Sequence, residues 1–168
     1  MPTERPESGA IAIVYDEVER LFDLAVDEDG FRLQTDDGLQ TAVTISLFTD
    51  RRATPAELQL AGLAPHENAG WAGDSYPELD GDEWGSLLWT LRRALRDDDT
   101  LELARQYARQ ALQWLVEDEV AQGVTCDASW IADTGYLELT VEIVRAERGL
   151  PRWRRVWNAT TGELLQAA

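Results

Sequence analysis

The chain has 168 residues, 44 % hydrophobic and 28 % charged, with 15 basic against 32 acidic side chains and a net charge of −17. That length suits one domain with a real core, and so negative a surface repels phosphate, which argues against nucleic acid as the main ligand and favours a cationic protein surface. A single cysteine, Cys126, excludes an intramolecular disulfide, and neither the N-terminal MPTERPESG nor any later run has the apolar length of a signal peptide or membrane span.

In chain order, residues 1–9 read as a mobile arm and residues 10–168 as one compact domain. Ala10 to Tyr15 and Leu21 to Val26 read as strands of an N-terminal β-hairpin joined near Asp16–Glu19. From Gly38 to Thr49 there is no charge. On a helix, Leu39, Ala42, Val43, Ser46 and Leu47 form one stripe while Ile45 and Phe48 point away, so this central helix is covered on more than one side. Asp36 and Asp37 suit its N-terminus, and Asp50-Arg51-Arg52 ends it abruptly. A long irregular loop, residues 53–83, follows. Within it Thr54-Pro55-Ala56-Glu57 is a capping box with proline at the first helical position, which predicts a short helix. Loops of this length inside a domain usually have a task, and contact with a partner is expected.

Ser86 to Arg96 reads as a short helix with Leu87, Leu88, Leu91 and Leu95 inward. Thr100 then caps a longer helix preceded by Asp97-Asp98-Asp99. Its buried stripe is Leu101, Ala104, Ala108, Ala111, Leu112 and Leu115, flanked by Tyr107 and Trp114, and the alanines imply close packing. Glu117, Asp118 and Glu119 lie at its far end, where the dipole is already negative and each exposed carboxylate costs about 0.3–1 kcal/mol. They are either a solvated acidic turn or the contact for a cation, from Arg152, Arg154 or Arg155 or from a basic patch on a neighbouring subunit. Three strands close the chain as an antiparallel meander: Val124 to Trp130, Leu137 to Ile143 and Arg152 to Trp157, with turns at Asp133-Thr134-Gly135 and Glu147-Arg148-Gly149. In the last strand Trp153, Arg155 and Trp157 share one face and Arg152, Arg154 and Val156 the other. A basic aromatic strand in so acidic a chain is a candidate docking edge. The alternative is an edge strand whose arginines pair with Glu138 and Glu142.

The sequence is poorly supplied for catalysis. His66 is the only histidine, and no nucleophile with a recognisable motif accompanies it. Cys126 falls on the apolar face of a strand, as an inert core thiol does. One histidine and one cysteine do not make a zinc site. The acidic clusters at Asp27-Glu28-Asp29 and Asp80-Gly81-Asp82-Glu83 lack calcium-loop spacing, and no Gly-rich phosphate loop is present. No cofactor or metal is expected. Every cation is arginine, which either serves bidentate pairing or reflects genome base composition.

Residues 35–53, TDDGLQTAVTISLFTDRRA, resemble the signature of the Mu-like baseplate wedge family of contractile-tailed phages. Gly70-Trp71-Ala72-Gly73-Asp74 resembles its GWWGD element and Gly85-Ser86-Leu87-Leu88-Trp89 its GSRLW element. Tyr107-Ala108 through Trp114-Leu115-Val116-Glu117-Asp118 resembles its YA…ALQWLVEDGVA element. The likeness covers roughly residues 21–145. Ala72 replaces a tryptophan, Leu87 an arginine and Glu119 the usual glycine, which puts the helix end there in question.

The resemblance implies an α+β fold and a structural baseplate wedge subunit in the virion tail, assembled in the host bacterial cytoplasm. The implied partners are the larger wedge proteins and the tail sheath, with tube and hub proteins as further candidates and neither nucleic acid nor membrane among them. It also implies that Thr49, Asp50, Arg51 and Arg52 match an arginine-containing turn that touches partner helices. Sheath docking by strand addition then points to Arg152–Trp157. Two alternatives stand beside it. One is a tail lysozyme, since the wider superfamily has carried that label and glycoside hydrolysis needs only two carboxyls about 5–9.5 Å apart. The other is an adaptor or regulatory protein using the same fold off the particle.

Overall fold

A change of hydrophobic period from about four to two near residue 121 separates helices from sheet in the larger part of the chain. The computed structural model describes residues 10–16, 21–24, 35–36, 39–70, 84–145 and 153–167. The fold is α+β, and the chain divides into two compact units, Met1–Thr44 and Ile45–Ala168. The N-terminal arm, the turns at Glu17–Glu19 and Glu147–Gly149, the loop from Trp71 to Glu83 and Arg152 lie outside the described residues.

In the first unit, β1 (Ala10–Ile11) pairs antiparallel with β4 (Thr35–Asp36), and β2 (Ile13–Asp16) pairs with β3 (Leu21–Leu24) from Ile13↔Leu24 to Asp16↔Leu21. The hairpin is therefore β2–β3, and the strand expected over residues 10–15 divides between two partners. Helix α1 (Leu39–Phe48), whose residues from Ile45 onward belong to the second unit, buries Leu39, Thr41, Val43, Thr44 and Leu47, more than one stripe, as its uncharged sequence requires. Its buried hydroxyls are satisfied: Thr41 Oγ1 donates to the Ile11 carbonyl at 3.2 Å and Thr44 Oγ1 to the Gln40 carbonyl at 2.8 Å. Asp36 lies in β4, and Asp37, the other acid expected at the start of α1, lies outside the described residues.

In the second unit, α2 (Pro55–Leu60) has the expected capping box. The helix expected over residues 86–96 is instead a 3-10 helix, Leu88–Arg93. Three residues per turn advance each side chain differently from the α-helical period. Leu87 and Leu88 are buried, whereas Leu95, expected inward, lies past the end and is 77 % exposed. Helix α3 (Asp98–Ala111) is capped by Asp97, whose carboxylate accepts the Thr100 amide at 2.8 Å; Thr100 is buried three residues in rather than being the cap. The long helix breaks at Leu112–Gln113 and resumes as α4 (Trp114–Glu117). Ala104 and Ala108 are fully buried where α3 packs on β5.

The sheet runs β5 (Ala121–Trp130), β6 (Leu137–Arg145), β7 (Trp153–Asn158), β8 (Leu164–Ala167), antiparallel throughout. The expected three-strand meander is present and β8 extends it. One face carries Cys126, Ala128, Leu139, Val141, Ile143, Trp153 and Trp157, all buried. Trp153 and Trp157 lie 5.8 Å apart between ring centroids, and Phe48 meets Trp157 at 6.3 Å.

Candidate functional site

The residues that end α1 form a corner held from several sides. The Thr49 amide donates to the Ile45 carbonyl at 3.0 Å and closes the helix. Two backbone bonds then join the corner to Ser86: its amide donates to the Thr49 carbonyl at 2.9 Å, and its carbonyl accepts the Arg51 amide at 3.0 Å. Ser86 Oγ donates to the Leu47 carbonyl and accepts the Leu88 amide at 3.1 Å, while Trp89 Nε1 donates to the Arg51 carbonyl at 2.9 Å. Gly85 makes this approach possible. It has φ +96, and a Cβ there would lie 2.2 Å from the Thr49 oxygen.

The far side is fastened by Asn68, whose Oδ1 accepts the Ala53 amide at 3.0 Å and whose Nδ2 donates to the Ala53 carbonyl at 2.8 Å. Gly70, at φ +143, lies against Arg52, where a Cβ would come 2.9 Å from the arginine Cβ. Two of the signature glycines thus serve one place.

The charges of the corner divide by role. Arg51 pairs with Glu57 at 3.0 Å, and that carboxylate also accepts the Thr54 amide at 2.7 Å. Burial would raise the Glu57 pKa, but the Thr54 bonds and Arg51 outweigh it, and the group sits below the usual carboxylate range. Asp50 pairs with Arg92 at 3.3 Å; burial nevertheless raises its pKa, with Arg92 only partly offsetting it. Glu67 accepts the Ala64 amide at 2.9 Å and Arg93 at 2.8 Å. Arg52 is exposed and, among the described residues, makes no ion pair.

The remaining candidate residues lie elsewhere. Glu117 and Asp118 are exposed at the end of α4, with no ion pair among the described residues. Arg154 instead pairs with Glu142 across the sheet at 3.3 Å, and Arg155 lies over the Trp153 ring at 4.9 Å from its centroid. The docking edge expected at Arg152–Trp157 is not an edge, because β7 is bonded to β6 on one side and β8 on the other. Trp157, 1 % exposed, is a core residue rather than a surface anchor. Glu119 adopts φ 59, the left-handed conformation that favours glycine, and terminates α4 with its amide donating to the Val116 carbonyl at 3.2 Å. The helix therefore ends where a glycine would end it.

Among the described residues, catalytic groups do not gather at the corner. His66 is exposed on a 3-10 turn, Pro65–Glu67, and the Glu67 carboxylate beside it is engaged by Ala64 and Arg93. The Cys126 thiol is buried, and burial pushes its pKa up to about 12. Among the described residues no cluster of histidine, cysteine and acidic side chains converges as a metal site, and no helix is long and apolar enough to cross a membrane. Ser86, Gly85, Trp89 and Asn68 do not announce their role in the sequence. The GSLLW segment signals the first three only as a motif, and nothing signals Asn68.

Residues 39–149 match the family described as phage protein GP46. The chain is 49 % identical over 88 residues to the baseplate protein gp46 of Escherichia phage Mu, covering 52 % of this chain and 57 % of that protein. It is 46 % identical over 97 residues to the Mu-like prophage FluMu protein gp46 of Haemophilus influenzae, covering 58 % of this chain and 62 % of that one. The chain thus spans about three fifths of the length of these curated relatives. The matched span holds α1, the corner and every segment that fastens it, and the resemblance read from TDDGLQTAVTISLFTDRRA is borne out: the chain belongs to the phage protein GP46 family, a Mu-like baseplate protein family.

Proposed function

We propose that the chain is a structural wedge subunit of a contractile-tail baseplate, located in the virion tail, and that the corner Thr49-Asp50-Arg51-Arg52 docks on an acidic surface of a larger wedge protein. The observation that carries this reading is the contrast within the corner. Its backbone is fixed by Ser86, Trp89 and Asn68, while the Arg52 side chain is left exposed. A guanidinium on a fixed backbone loses little conformational freedom on binding and offers bidentate bonds to carboxylates. The relatives' names, which place them in a baseplate and a Mu-like prophage, support the setting.

Glu117 and Asp118 form a second contact in this reading, for a basic patch on a neighbouring subunit. The C-terminal sheet, including Trp153, Arg154, Arg155 and Trp157 as its supporting strand, serves the start of the sheath. Since β7 is internal, the strand that meets the sheath is β8 (Leu164–Ala167) and not Arg152–Trp157. The role is structural rather than catalytic, because the carboxylates Asp50, Glu57 and Glu67 around the corner are occupied by arginines and amides.

Co-expression of the chain with the neighbouring wedge genes, scored for a stable complex, tests the reading. Arg52→Glu should abolish the complex while leaving the melting temperature of the isolated chain unchanged, and retention of the complex would refute the corner as the contact. A peptidoglycan-release assay separates the lysozyme alternative: lysis that depends on one carboxylate would replace this reading.

A further inference from the structure

β5 is the longest described strand and lies at one margin of the four-stranded sheet, where β6 is its one neighbour among the described strands. The Ile131 amide donates to the Tyr136 carbonyl at 2.8 Å, so the alternate residues Ser129, Asp127 and Thr125 address β6. Trp130, Ala128, Cys126 and Val124 therefore turn their amides and carbonyls to the margin. A margin of this length, with no proline and one charge, is a template for another strand.

At Ala128 both outward groups are taken by side chains. Its amide donates to Asp127 Oδ1 at 2.8 Å, and its carbonyl accepts Arg105 Nη2 at 2.9 Å. Arg105 Nε also donates to the same Asp127 Oδ1 at 2.9 Å, which closes a ring over Ala128. The guanidinium and the carboxylate supply the donor and acceptor that a peptide group of an added strand would supply. Glu102 holds the arginine from behind at 3.3 Å, and Glu102 is in turn paired with Arg109 at 3.2 Å. At the other end of β5 a bulge between Ala121 and Gly123 breaks the register. Among the described residues, the stretch between bulge and ring without a partner is Val124 to Cys126, too short for stable pairing.

We infer that the Arg105–Asp127 pair is an edge lock, which bars strand addition to β5, by a second copy of this chain above all, and leaves the sheet able to grow only beyond β8. The lock is separate from the corner and does not rest on the proposed baseplate role. The Asp127 hydrogen bonds to Arg105 and Ala128 also hold its carboxylate below the usual range, so the lock stays closed across neutral pH.

The test uses the full chain and the variants Asp127→Ala, Arg105→Ala and, as a control at an exposed position on the same helix, Gln106→Ala. Sedimentation velocity over a range of protein concentrations reads self-association, and hydrogen exchange at low concentration reads the Ala128 amide. Asp127→Ala and Arg105→Ala should each self-associate about tenfold more tightly than the parent, with faster exchange at Ala128, while Gln106→Ala matches the parent in both. Asp127 is 74 % exposed, so its variant folds even where Arg105→Ala does not. Unchanged self-association in folded Asp127→Ala would overturn the lock, as would an equal rise in Gln106→Ala.

Discussion

Replacing Gly85 by alanine should cost far more than the same replacement at Gly62, and the difference follows from what each new Cβ would meet. Gly62 has φ +67 with nothing within 4 Å, so alanine there meets only the left-handed backbone penalty, about 1–2 kcal/mol, partly offset by the loss of unfolded-state freedom. At Gly85, φ +96, the methyl group would stand 2.2 Å from the Thr49 oxygen, 2.8 Å from the Thr49 carbon and 3.1 Å from the Arg51 nitrogen. All three are backbone atoms and cannot swing aside. The segment must retreat, and the two bonds between Ser86 and the corner, 2.9 and 3.0 Å long, go with it. At about 1 kcal/mol each, added to the backbone penalty, Gly85→Ala should lose about 3–5 kcal/mol against about 1 for Gly62→Ala. Urea denaturation followed by tryptophan fluorescence measures both, because Trp89 is part of the same cluster through its bond to Arg51. Equal losses in the two variants would refute the claim that Gly85 is required by the approach to Thr49.

Glu119→Gly should stabilise the chain by about 0.5–1 kcal/mol, raising the melting temperature by a few degrees, since glycine relieves the φ 59 backbone and removes a carboxylate from a helix C-terminus. Asn68→Ala should cost about 2–3 kcal/mol in denaturation, as the Ala53 amide and carbonyl both lose their partner. Ser46→Ala should cost about 1 kcal/mol and shift the fluorescence of Trp114, whose Nε1 donates to Ser46 Oγ at 3.1 Å. Cys126 should resist a thiol reagent at pH 8 until the chain is unfolded. Its folded pKa of about 12 lies above the ordinary 9.0, so the native state retains a proton that the unfolded state has lost. Stability is therefore whole below pH 9.0 and falls as pH rises towards about 12, which melting curves across that window measure.

Periodicity made the sheet and α3 legible. Alternation in residues 124–130 and 137–143 places the buried side chains correctly, and Ala104, Ala108, Leu112 and Leu115 keep the helical spacing of a packed face. Leu95 departs from that spacing because it lies past a 3-10 helix, which does not keep the α-helical period. Strand β8 went unread for another reason: Leu164-Leu165-Gln166-Ala167 favours helix locally and shows no alternation, and pairing with β7 overrides that preference. The candidate site was half legible. The uncharged run and its charged ending located the corner, but the residues that fasten it lie 15 to 39 positions away, beyond any local signal.

The bond from Trp89 to Arg51 spans 38 positions of chain, and its consequence is one of timing. During synthesis the two arginines emerge long before the tryptophan that fixes them. A chain halted before residue 89 carries the same charges without the bond that fixes the Arg51 backbone, so the shape of the corner depends on sequence well beyond it. If the corner is the docking contact proposed above, a chain halted before residue 89 presents that contact without its fixed shape.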